Sequence, residues 1–175
     1  MKHLKRPLRR ALLVIHVATS VGWLGLTLGL LTLGVTAFIT NDPATTRTAY
    51  RAMKILVDWP VLPVALLALI SGLVLSLGTP WGLARYWWVW IKFWLTLITL
   101  GATVFALRPA IHEAAATGIP DSSLVAAPSV ATSAYLLMTA ISVLKPWGPT
   151  RHGRRLRALP TSRKPVDERS SAPTA

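Results

Sequence analysis

Two side chains inside the apolar runs of this sequence can do chemistry, His16 and Lys92. An imidazole takes and gives a proton near neutral pH and binds metals. An ammonium set inside an apolar run marks a functional position by default. Counted from Arg10 and from the Trp-rich stretch before Trp88, each lies about one to two turns inside its run, at roughly 1.5 Å per residue. Ser20, Trp23 and Thr96 follow at helical spacing. The expectation is one pocket lined by His16, Ser20, Trp23, Lys92 and Thr96, suited to an anionic headgroup or a carboxylate. The bland arrangement of the same groups is a neutral His bonded to a hydroxyl and a Lys that snorkels to the headgroups.

Other chemistries find little support. Cys is absent, which removes disulfides, thiolate metal sites and Cys nucleophiles. No Gly-rich phosphate loop, H-E-x-x-H helix or nucleophile elbow occurs. The centres of the runs contain no Asp or Glu, which counts against a proton-coupled transporter. Asp58 is expected to cap a helix. His112 and Glu113 are adjacent, so on a helix they point in different directions. Haem held by two His of one chain needs both at one depth. His16 and His112 lie near opposite ends of their runs, and His3 and His152 lie outside them. The reading is therefore of no enzyme, catalytic residue, metal or cofactor. Its alternatives are a b-type haem or metal-handling protein using His16 across a homodimer, and a small transporter.

The elements that position these residues are long apolar runs. The 175-residue chain is 53% hydrophobic and only 14% charged, against roughly 25% charged in soluble domains. About 20 apolar residues cross a bilayer. Spans are expected at about 11–39, 59–77, 87–107 and 124–144, forming an all-α, up-and-down four-helix membrane domain over 11–145. A signal peptide's apolar core is about 7–15 residues, so the first run reads as an uncleaved span. Residues 1–10 form a basic cytoplasmic N-terminus and 146–175 a disordered basic cytoplasmic tail. The stretch 76–94 holds five of the eight Trp, with Thr79-Pro80-Trp81-Gly82 as the turn, and marks a membrane–water boundary. Fifteen of the 19 Lys and Arg fall on one side of the four-span arrangement; Arg47, Arg51, Lys54 and Arg108 fall on the other. The positive-inside rule then puts both termini in the cytoplasm, in a multi-pass inner-membrane protein. The formal charge of +13 sits mostly at the chain ends, where it reads as attraction to anionic lipid headgroups, not to nucleic acid.

Local signals refine the picture. Asn41-Asp42-Pro43 reads as a helix cap. Residues 44–57 are amphipathic, with Arg47, Arg51 and Lys54 opposite Tyr50, Met53, Leu56 and Val57. They lie along the interface or extend the second span. Pro60 and Pro63 predict a bend. Gly25 and Gly29 have the GxxxG spacing of a close helix contact, within or between chains. Ser71-Gly72 offers another small-residue contact. Lys92, Thr96, Thr99 and Thr103 form a polar stripe expected to face Thr132, Tyr135, Thr139 and Ser142. Gly118 with Pro120 stops the third helix, and Asp121-Ser122-Ser123 caps the fourth.

The motifs H-V-A-T-S-V-G-W-L-G (residues 16–25) and S-G-L-V-L-S-L-G-T-P-W-G-L-A-R-Y-W-W-V-W-I-K (71–92) resemble an uncharacterised bacterial family of small integral membrane proteins, defined by a domain of unknown function. The likeness covers about 11–107 and implies four helices without an activity. The His followed by G-W-x-G is also loosely similar to copper-resistance D type membrane proteins, which carry more potential metal ligands than the one in-span His here. The expected function is non-enzymatic. The expectation is an accessory or scaffold membrane protein, in a homo-oligomer or with a partner membrane protein, that holds a lipid or small anion between its helices.

Overall fold

The computed structural model describes residues 5–78 and 86–144. The Thr79-Pro80-Trp81-Gly82 turn and the basic tail lie outside the described residues. Caps and prolines cut the apolar runs into four long helical rods, Arg6–Ile39, Pro43–Gly78, Trp87–Thr117 and Ser123–Leu144, each long and apolar enough to cross a membrane.

Helix α1 (Arg6–Ile39) begins with Pro in its first turn, where the missing N–H costs nothing. Its buried face is Trp23, Thr27, Leu30, Gly34 and Ala37, the three-to-four spacing of one helix stripe. Asp42 then caps α2 (Pro43–Leu56). Its carboxylate accepts from the Ala44 and Thr45 amides at 3.1 and 3.0 Å and from the Thr45 hydroxyl at 2.6 Å.

These donors, the Thr45 hydroxyl foremost, hold the Asp42 carboxyl below its ordinary pKa. A depressed carboxylate contributes stability that is present above the unfolded value and lost as pH falls through the folded one. Thermal unfolding in detergent is therefore expected to lose a component below about pH 4, and Asp42→Ala should remove that component. An unchanged acid limb in the variant would mean that the cap does not titrate with folding.

α2 buries Thr46, Ala49, Tyr50 and Met53 against α1 and α5, and leaves Arg47, Arg51 and Lys54 exposed. It runs through a π-helical turn (Val57–Val61) straight into α3 (Leu62–Gly78), so it is continuous with the rest of the second rod and not a separate helix. Pro60 sits inside that turn, where the wider winding accommodates its missing N–H. The third rod repeats the pattern: α4 (Trp87–Ala102), a π-helical turn (Thr103–Leu107), then α5 (Arg108–Thr117). Gly118 ends it at φ 72°, returning its N–H to the Ala114 carbonyl at 2.8 Å. This is the left-handed stop that glycine adopts without penalty. Asp121 opens α6 (Ser123–Leu144) by accepting from the Ser123 amide and hydroxyl at 2.8 and 2.6 Å.

α1 is the centre of the bundle, packed on α2, α3 and α6. Contacts alternate in direction. The start of α1 meets α3, its end meets the start of α6, and the start of α4 meets the end of α6. The rods are thus arranged up and down, with the first and last described residues at one end. Two helix backbones come close at Gly34, where a Cβ would stand 3.2 Å from the Leu124 carbonyl carbon and nearer still to its oxygen. Gly25 of the GxxxG spacing is exposed with nothing within 4 Å, and Gly29 meets only a Leu56 methyl at 3.9 Å. Among the described glycines of α1, the close backbone contact belongs to Gly34.

Candidate ligand site at the terminal end of the bundle

His16 is half-buried on α1 and reaches across to α3. Its Nδ1 lies 3.0 Å from the Ala68 carbonyl oxygen and 3.1 Å from the Ser71 hydroxyl. A carbonyl only accepts, so Nδ1 carries the hydrogen in this pairing. Ser71 directs its own hydrogen to the Leu67 carbonyl at 2.6 Å. The ring rests edge-on against Gly72, where a Cβ would meet Cε1 at 2.8 Å. Any larger residue there would displace the imidazole.

Lys92 leaves α4 in the other direction. Its ammonium donates to the Ser142 hydroxyl of α6, which donates in turn to the Met138 carbonyl at 2.8 Å. Among the described residues no carboxylate pairs with it; both ion pairs found there belong to Asp58. Thr96, one turn on, bonds back to the Lys92 carbonyl at 2.8 Å and lies 3.5 Å from the Met138 sulfur. His16 and Lys92 therefore lie toward the same end of the bundle, but each is bonded to a different helix.

The other pocket candidates divide. Ser20 is half-buried one turn beyond His16. Trp23 is core, 4% exposed, with its ring centroid 4.7 Å from that of Tyr135. The Thr27 and Thr99 hydroxyls bond their own helices, at the Trp23 and Leu95 carbonyls, at 2.9 and 2.8 Å. The α4 stripe faces α6, through Lys92 to Ser142 and Thr96 to Met138. The facing stripe is not the expected one throughout. Thr139 is exposed and bonds its own helix at the Tyr135 carbonyl, while Met138 takes the inward position.

A second polar cluster occupies the opposite end. Asp58 does not cap a helix, because α2 and α3 are continuous through it. Its Oδ1 accepts from Arg108 Nε at 2.8 Å and His112 Nε2 at 2.9 Å. This clasp joins the second and third rods beside both π-helical turns. Sequence reading missed these partners because nothing in a sequence pairs positions 50 apart. For His16 a signal was present in Ser71-Gly72, a hydroxyl beside a residue without a side chain. The Ala68 carbonyl carries no signal, since every helix residue has one. Among the described residues no group of three His, Cys, Asp or Glu is placed to hold a metal ion. No protein-family model, curated protein or solved structure matches this chain.

Proposed function

We propose that the chain is a multi-pass protein of the cytoplasmic membrane, with both termini in the cytoplasm, that binds an anionic ligand at the terminal end of its bundle and acts as an accessory or scaffold protein, not an enzyme. Lys92 carries the reading. It is a cation inside an apolar rod, half-buried, held by a hydroxyl and by no carboxylate among the described residues. Hydroxyl solvation leaves its charge uncompensated, and a phosphate or carboxylate supplies the missing counter-charge. Exposed Trp87, Trp90 and Trp94 at the same end, with Trp59 exposed toward the other, fit two interfacial belts. The asymmetry of Lys and Arg supports the orientation.

The test compares thermal unfolding of the purified protein with phosphatidylglycerol, with phosphatidylcholine and with free glycerol phosphate. A ligand present at 100 times its Kd stabilises by about 2.7 kcal/mol. Stabilisation by the anionic lipid alone identifies a headgroup; stabilisation by glycerol phosphate as well identifies a small anion. Lys92→Met should abolish the gain, and replacing Arg151, Arg154, Arg155 and Arg157 by Gln should leave it. If the tail variant loses the effect and Lys92→Met keeps it, binding resides in the tail and this reading fails.

A further inference from the structure

We propose that the seam between α2 and α5, at the end of the bundle opposite Lys92, is a binding surface for the headgroup of an anionic phospholipid. Arg47, Arg51 and Lys54 recur at i, i+4 and i+7, so they form one stripe on α2. All three are exposed. Two contacts fix where the stripe lies. At one end the Arg47 side chain rests on the glycine that stops α5, with Cγ and Nε each 3.4 Å from where a Cβ on Gly118 would stand. One turn beyond Lys54, Asp58 holds Arg108 and His112 on the first two turns of α5. The stripe therefore runs beside α5, and the exposed Arg108 joins it from the third rod.

The charge of this strip is unbalanced. Among the described residues Arg47, Arg51 and Lys54 have no ion pair and no side-chain hydrogen bond. The nearby acids are engaged elsewhere: Asp58 in the clasp, Asp42 and Asp121 on the amides that open α2 and α6. Glu113 is exposed on α5 and pairs with none of the three. Arg and Lys bind phosphate oxygens through charge-assisted hydrogen bonds. What continues the strip selects a lipid over a soluble anion. On the second rod Ile55 and Trp59 follow, 62% and 76% exposed; on the third, Phe105, one turn before Arg108, is 82% exposed. Both rods thus pass from exposed cations to exposed large apolar side chains in the same direction along the bundle. A phosphate with acyl chains attached matches that order, and Trp at the junction is typical of headgroup depth. With both termini in the cytoplasm the surface meets the outer leaflet. It makes no use of Lys92, so it stands independently of the anion site above.

The experiment places the full chain in nanodiscs that contain phosphatidylglycerol with a photoactivatable acyl chain, and maps cross-links by mass spectrometry. Cross-links are expected within 55–59 and at Phe105. The same chain on a phosphatidylcholine headgroup should label these residues weakly. Arg47→Gln, Arg51→Gln and Lys54→Gln together should lower the phosphatidylglycerol labelling by about tenfold or more, while Arg47→Lys with Arg51→Lys should retain it. The three side chains are exposed and unbonded, so melting temperature and helical circular dichroism should not change in the triple variant. Lys92→Met should leave the labelling intact. Equal labelling by the two headgroups, or labelling that survives the triple Gln variant, overturns the proposal. Labelling lost in Lys92→Met overturns it too, by placing the lipid at the other end. Protection of the strip by a hexaglutamate peptide, without any headgroup preference, would assign the surface to an acidic polypeptide instead.

Discussion

Gly34→Val is expected to be among the most damaging single substitutions in this bundle. A Cβ at that position would press on the Leu124 carbonyl at the first turn of α6. The obstacle is backbone, which cannot rotate away as a side chain can, so α1 and α6 must separate. Overpacking typically costs about 1–3 kcal/mol, and Gly34→Ala should already show part of it. Gly25→Ala is the matched control. Nothing stands within 4 Å of its Cβ position, and alanine is the better helix former by up to about 1 kcal/mol. Thermal unfolding of the three variants in one detergent measures the contrast. Equal melting temperatures for Gly34→Ala and Gly25→Ala would refute the close approach.

Tyr50→Ala should destabilise by about 3–5 kcal/mol, the usual cost of emptying a large aromatic site. Tyr50 is fully buried between α2 and its neighbours. Its hydroxyl accepts the Asp121 amide at 3.2 Å, and Asp121 is the residue that caps α6. One side chain thus fills the core and fixes where the fourth rod begins. Tyr50→Phe isolates the second role and should cost about 0.5–1.5 kcal/mol. A Phe variant as unstable as the Ala variant would show that the hydroxyl, not the ring, dominates.

Most of the scaffold was legible because its causes are local. Runs of apolar residues, the carboxylate of Asp42 before Pro43, and the glycine at 118 act on their own neighbours, and each does in the structure what its chemistry dictates. The threonine stripe of α4 was legible for the same reason, since a polar face on an apolar helix must find protein. What stayed hidden depends on pairing or phase. Gly34 is one of the 11 glycines of the chain, and only the path of α6 singles it out. Asp58 carries the cap-like signature Asp-Trp-Pro, yet continuous helix absorbs it and two distant donors claim its carboxylate. Thr139 lay on the expected stripe by count, but the inward face of α6 there is Met138 and Ile141. Of the candidate site, the shared end of His16 and Lys92 was readable from depth alone. Their separate partners were not, because depth says nothing about azimuth around a helix.

The two π-helical turns act on that azimuth. A wider turn closes with one more residue than an α-turn, and one residue is worth about 100° of rotation. The second and third rods are therefore each two helices out of phase, joined at the level of the Asp58–Arg108 clasp. Each turn has the geometry of one extra residue set into an α-helix. Deleting one residue from 57–61 would leave the Tyr50–Met53 face of α2 where it is and rotate Ala68, Ser71 and Gly72 by about 100°, carrying the seat of the imidazole away from His16. The orientation of that ring at one end of the bundle is thus set by a phase shift introduced at the other.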